Sequence, residues 1–131
     1  MTCFWNGILS RLSLENINKA MNIKLDIKPN PKEFVILLKN KATLSVDVKW
    51  NYESLTQKLM EENMEWVNSY NVEHIYQGHD CSSCDPFLLL ISQLFVVDIC
   101  HTYNSKYVTY TNDKNLNGLI LNFMSDTGHF W

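Results

Sequence analysis

Four cysteines and four histidines occur in a chain of 131 residues, and thiolates and imidazoles are the side chains that attack carbonyls, move protons and bind metals near neutral pH. Cys3 opens the stretch Cys3-Phe-Trp-Asn-Gly-Ile-Leu-Ser-Arg-Leu12, whose apolar residues Phe4, Ile8, Leu9 and Leu12 recur at helical spacing. At the start of a helix, unpaired backbone N–H groups and the positive end of the dipole stabilise a thiolate, which is the reactive form of cysteine. His129 follows Ser125-Asp-Thr-Gly128 and enters a terminal aromatic run, where its imidazole could take up the thiol proton. Alone, Cys3 reads equally well as packing, and His129 reads more readily as a plain surface or core histidine. Together they make a nucleophile on an early helix and a base on a late strand, an arrangement for acyl transfer.

The remaining cysteines and histidines give weaker signals. His79-Asp-Cys81-Ser-Ser-Cys84 holds a C-x₂-C pair, with His74, Cys100 and His101 as further potential ligands. That spacing suits two ligands of a structural zinc, but a convincing site shows two such pairs. The expectation is therefore no metal and no cofactor, with Cys100 serving strand packing.

The elements that must position Cys3 and His129 follow from periodicity and capping. Asn30-Pro-Lys-Glu33 predicts a helix start, with an N-cap, a proline in the first turn and a carboxylate three residues on, running to about Lys41. Thr43 to Trp50 alternates Leu44, Val46, Val48 and Trp50 with polar residues, which predicts a half-buried strand or extended segment. Ser54-Leu-Thr-Gln57 reads as a capping box for a helix carrying Leu55, Leu59, Met60, Met64 and Val67, and Asp85-Pro86 caps a nearly all-apolar helix from Phe87 to about Phe95. Val96 to His101, Tyr107 to Tyr110 and Leu119 to Phe123 are strand-forming runs, separated by turn residues such as Asn104-Ser105. Their short spacing predicts an antiparallel meander, with His129-Phe-Trp131 as a last strand. Helices precede strands, so the class is α+β in one domain.

Composition narrows the function. The 11 basic and 14 acidic side chains leave a formal charge of −3, without the basic excess that nucleic acid requires. At 46% apolar and 19% charged residues, disorder is excluded. The most apolar stretch, Pro86 to Cys100, contains Ser92, Gln93 and Asp98 and falls short of the roughly 20 residues that span a bilayer. No secretory pattern opens the chain. The expectation is a cytoplasmic monomer that contacts neither nucleic acid nor membrane.

Three blocks carry a family resemblance. Cys3-Phe-Trp-Asn-Gly-Ile-Leu resembles the cysteine box of the ovarian-tumour-domain (OTU) cysteine proteases. The run from Asp85 to Tyr103 resembles their central helix leading into a strand, and Leu119 to Trp131, with Gly128-His-Phe, resembles the closing strands with the histidine box. The blocks occur in the family's order, cover most of the chain, and look like a compact viral version. The resemblance implies a papain-like OTU fold, a small antiparallel-rich sheet flanked by helices, with Cys3 as nucleophile and His129 as general base. The implied partner is ubiquitin or a ubiquitin-like protein, hydrolysed after its C-terminal glycine. Residues 30–41 and 54–69 would form the lobe that receives it.

Two features depart from the family. Its usual aspartate three residues before the cysteine has no counterpart, since Met1 and Thr2 alone precede Cys3. Two residues after the histidine, where Asp or Asn usually orients the ring, stands Trp131. Asp126 or a plain Cys–His dyad would then have to serve. The readings left open are an inactive OTU-like binding module, a viral polyprotein-processing protease, and a zinc-stabilised interaction domain around Cys81 and Cys84.

Overall fold

The structure, a computed structural model, describes residues 3–75 and 85–125. Among the described residues, five α-helices and one five-stranded mixed sheet share a single core. The helices are α1 (Cys3–Arg11), α2 (Leu14–Met21), α3 (Pro31–Asn40), α4 (Gln57–Ser69) and α5 (Asp85–Phe95); the strands are β1 (Val48–Trp50), β2 (Glu53–Ser54), β3 (Asp98–Tyr103), β4 (Lys106–Asn112) and β5 (Ile120–Ser125). The α+β class read from the sequence holds.

Local chemistry accounts for the helix boundaries. Asn30 caps α3, its side chain accepting from the Glu33 N–H while Glu33 reaches back to the Asn30 N–H, with Pro31 in the first turn. Helix α2 was not anticipated. It has the same device, a reciprocal Ser13–Asn16 box, but with Asn in place of the usual Glu or Gln. The cap of α4 is Thr56, which accepts from the Leu59 N–H, rather than Ser54, which lies in β2. A hydroxyl two residues later won because the β1–β2 hairpin takes up Glu53 and Ser54 first.

The extended segment expected from Thr43 shrinks to β1. Ser45 is instead drawn into hydrogen bonds with Gln93 of α5 and Asp47, and Val46 is left exposed. Asn104 and Ser105, both at positive φ, form the two-residue turn between β3 and β4, as their turn chemistry indicates. The expected all-antiparallel meander is corrected at its third strand. The sheet order is β2-β1-β4-β3-β5, and β5 crosses to the far side of β3 and pairs with it in parallel. The 113–119 connection makes that crossing possible. It is anchored by Asn112 side-chain bonds and by an Asn115 amide bond to the Leu119 carbonyl.

One sheet face, with Ile99, Tyr110, Leu121 and Phe123, is buried against the helices. The alternate residues Ile120, Met124 and Tyr107 are exposed on the other. Helix α5 lies across the inner face and is apolar nearly all round, with Phe87 to Ile91 buried. It ends in a Schellman-type closure: the Val97 N–H bonds back to the Ser92 carbonyl, and Val96 takes the left-handed conformation at φ 53°. Helix α2 closes the same way, Ile23 N–H to Asn18 carbonyl, but with Asn22 at the left-handed position. Asparagine tolerates that conformation, whereas a β-branched valine is strained there.

Candidate active site

Cys3 is the first residue of α1, and the first turn of that helix holds no carboxylate to compete with a thiolate for the N-terminal dipole. The helix is fixed by the two aromatics that follow. Trp5 packs edge-on against Phe87 in the first turn of α5, with ring centroids 4.8 Å apart, and against Phe34 of α3 at 6.1 Å. Trp66 of α4 and Tyr70, its C-cap, complete the cluster on Phe87 at 5.6 and 5.2 Å. Edge-to-face contacts of this kind lock ring orientation beyond what area burial provides. At its other end α1 places the Arg11 guanidinium over the Phe123 ring of β5, 4.6 Å from the centroid. The first turn of α1 thus meets the first turn of α5, while the last turn of α1 reaches β5.

Polar contacts tie the C-terminal end of β5 to β3, and β4 to the start of α5. Ser125 Oγ and His101 Nε2 share a 2.6 Å hydrogen bond, donated by the hydroxyl when the ring carries its proton on Nδ1. The Ser125 carbonyl accepts from the Asn104 N–H, which ties the end of β5 to the β3–β4 turn. The Tyr110 hydroxyl donates to Asp85 Oδ1 at the start of α5. Burial pushes the His101 imidazole below its ordinary value, and the nearby negative charge of Asp85 partly opposes that shift. A serine, a histidine and a carboxylate in this order carry the ingredients of an acyl-transfer triad. Here Ser125 and His101 are each only 4% exposed, and Asp85 is engaged by Tyr110, so the group acts as a clamp on β3, β4, β5 and α5.

The sequence did not single out these four residues as a unit. The available signal was phase: His101 continues the inward set of Ile99, and Ser125 continues that of Leu121 and Phe123. A polar residue in phase with buried ones needs a partner.

Of the residues expected to act, Cys3 sits at the α1 terminus as anticipated from its helical context. His129 and Asp126 lie outside the described residues, as do His79, Cys81 and Cys84 and the expected last strand from His129 to Trp131. His74 ends a short 3₁₀ turn, Val72–His74. Cys100, expected as strand packing, is half-buried on the face of β3 away from the helices, where hydrogen bonding to it raises the pKa of Tyr107. Among the described residues no group of three or more His, Cys, Asp or Glu side chains is spaced to hold a metal ion, and no helix is long and apolar enough to cross a membrane. No family model, curated protein or solved structure matches the chain.

Proposed function

We propose that this chain is a cysteine-dependent peptidase of OTU type, acting on the C-terminal glycine of ubiquitin or a ubiquitin-like protein. One observation supports the reading: the first turn of α5 packs on the start of α1, and its Asp85 lies near His101, which holds Ser125 at the end of β5. Trp5 against Phe87 makes the first contact, the Ser125–His101 bond ties β5 to β3, and Tyr110 ties β4 to Asp85. A nucleophile and base contributed by opposite ends of a chain need such a common anchor.

In this mechanism the Cys3 thiolate attacks the carbonyl carbon of the terminal glycine after His129 has taken its proton. The tetrahedral oxyanion is held by backbone N–H groups at the start of α1. His129 then protonates the departing amine, and water hydrolyses the thioester to release the free carboxylate and the thiol. The choice of ubiquitin rests on the family resemblance of the three sequence blocks.

The test is hydrolysis of ubiquitin carrying a fluorogenic C-terminal amide. Turnover abolished by Cys3→Ala and by His129→Ala is expected. Turnover that survives Cys3→Ala would overturn the assignment, and bound but uncleaved ubiquitin would favour a binding module instead.

A further inference from the structure

A groove of about 490 Å³ opens at the opposite end of α5, between the last turn of that helix, α2 and the 113–119 connection. Its floor is apolar, with Leu12, Leu94 and Val97. Three large apolar side chains on its margin face water: Val96 at 39%, Leu119 at 44% and Leu116 at 92% exposure. Single exposed apolar residues are ordinary, but three around one depression form a docking patch.

The charge of the groove is opposite to that of the molecule. The chain carries −3 overall, yet the groove is lined by Lys19 and Lys114 and by the amides of Asn16, Asn115 and Asn117, with no Asp or Glu among its lining residues. Lys114 is partly neutralised by Asp47 at 3.3 Å, which leaves Lys19, exposed on α2, as the stronger attraction. Val96 adds a second, independent sign. It holds a left-handed backbone that Asn22 occupies without strain at the matching end of α2, and its side chain lines the groove. Backbone strain retained beside an open apolar surface points to a use for that side chain.

We infer that this groove docks an extended acidic segment of a partner protein, anchored by one bulky aliphatic or aromatic side chain between Val96, Leu116 and Leu119, with flanking carboxylates on Lys19. An open groove of this shape suits one side chain of a longer segment, whereas small-molecule sites enclose most of their ligand. Docking here is independent of chemistry at the far end of α5.

Panning a phage-displayed library of random heptapeptides on the full chain tests this. The expected consensus is a bulky apolar residue flanked by Asp or Glu. The corresponding synthetic peptide, followed by fluorescence anisotropy, should bind in a salt-dependent way and weaken by about tenfold or more with Lys19→Glu and with Leu116→Ser. Both substitutions are at exposed positions. Val96→Gly should also weaken binding while leaving the protein at least as stable, a combination that a purely structural valine would not give. Absence of a consensus, a basic or uncharged consensus, or binding indifferent to Lys19→Glu and Leu116→Ser would overturn the inference. So would a dimer abolished by Leu116→Ser, which would assign the groove to a second copy.

Discussion

The two ends of helix α5 are built on opposite plans. At the N-terminal end, Phe87 is surrounded by Trp5, Trp66 and Tyr70, buried His101 bonds to buried Ser125, and Tyr110 bonds to Asp85 at the exposed start of the helix. At the C-terminal end the helix emerges half-buried at Leu94 and Phe95, closes through a strained Val96, and borders an open, cationic groove. One helix of eleven residues, about 16 Å long, thus joins a rigid end to an adaptable one. Precise positioning of reacting groups calls for the first kind of environment, where every polar atom and ring has a fixed partner. Recognition of a partner segment calls for the second, where apolar surface remains uncovered until binding.

If the N-terminal end is the rigid one, damage there should cost most. Phe87→Ala removes the ring on which three others pack, and we expect a loss of about 3–5 kcal/mol, read as a fall in the urea midpoint. A loss below about 1 kcal/mol would mean that the cluster is loosely packed and would erase the contrast with the other end. Tyr110→Phe is a finer probe, since it leaves the ring and takes the hydroxyl from Asp85. An expected cost of about 1–2 kcal/mol follows from the lost hydrogen bond to a charged group.

At the adaptable end the sign should reverse. Val96→Gly relieves a left-handed valine and is expected to stabilise the fold by about 1 kcal/mol. Asn22→Val places the same strain on α2 and should destabilise by a similar amount, about 1 kcal/mol. Equal effects of the same sign from both substitutions would refute the strain argument.

The smallest expected effect is a pH dependence at the buried clamp. Burial lowers the His101 pKa in the folded protein, so near the ordinary imidazole value the folded state binds fewer protons than the unfolded chain. The stability His101 contributes is present above that value and is lost as pH falls through it toward the lowered folded value. Denaturation midpoints measured from about pH 7.5 to about pH 5 should fall more steeply for the natural chain than for His101→Gln. Parallel profiles would show that His101 does not titrate with folding.

The parts of this arrangement that were legible in the sequence are those encoded by local chemistry. Asn30-Pro-Lys-Glu33 and Asn104-Ser105 state their structure within four residues, because capping and positive-φ turns depend on immediate neighbours. The parallel placement of β5 is not local. Val, Ile and Leu spacing says which residues face inward, but not which side of β3 the strand joins, and the 113–119 connection decides that. The extended segment at Thr43 failed because Gln93, far along the chain, captured Ser45. The clamp was missed for a similar reason: Asp85, His101, Tyr110 and Ser125 come from four elements, and no spacing in the sequence marks them as partners. Cys3 could be singled out because its helix start and its aromatic followers are contiguous.

The most direct test of the proposed chemistry is reaction with ubiquitin bearing an electrophilic C-terminus, followed by mapping of the modified residue by mass spectrometry. A single adduct on Cys3, absent from Cys3→Ala, is the expected result. An adduct on Cys81, Cys84 or Cys100 with Cys3 unmodified would contradict the account.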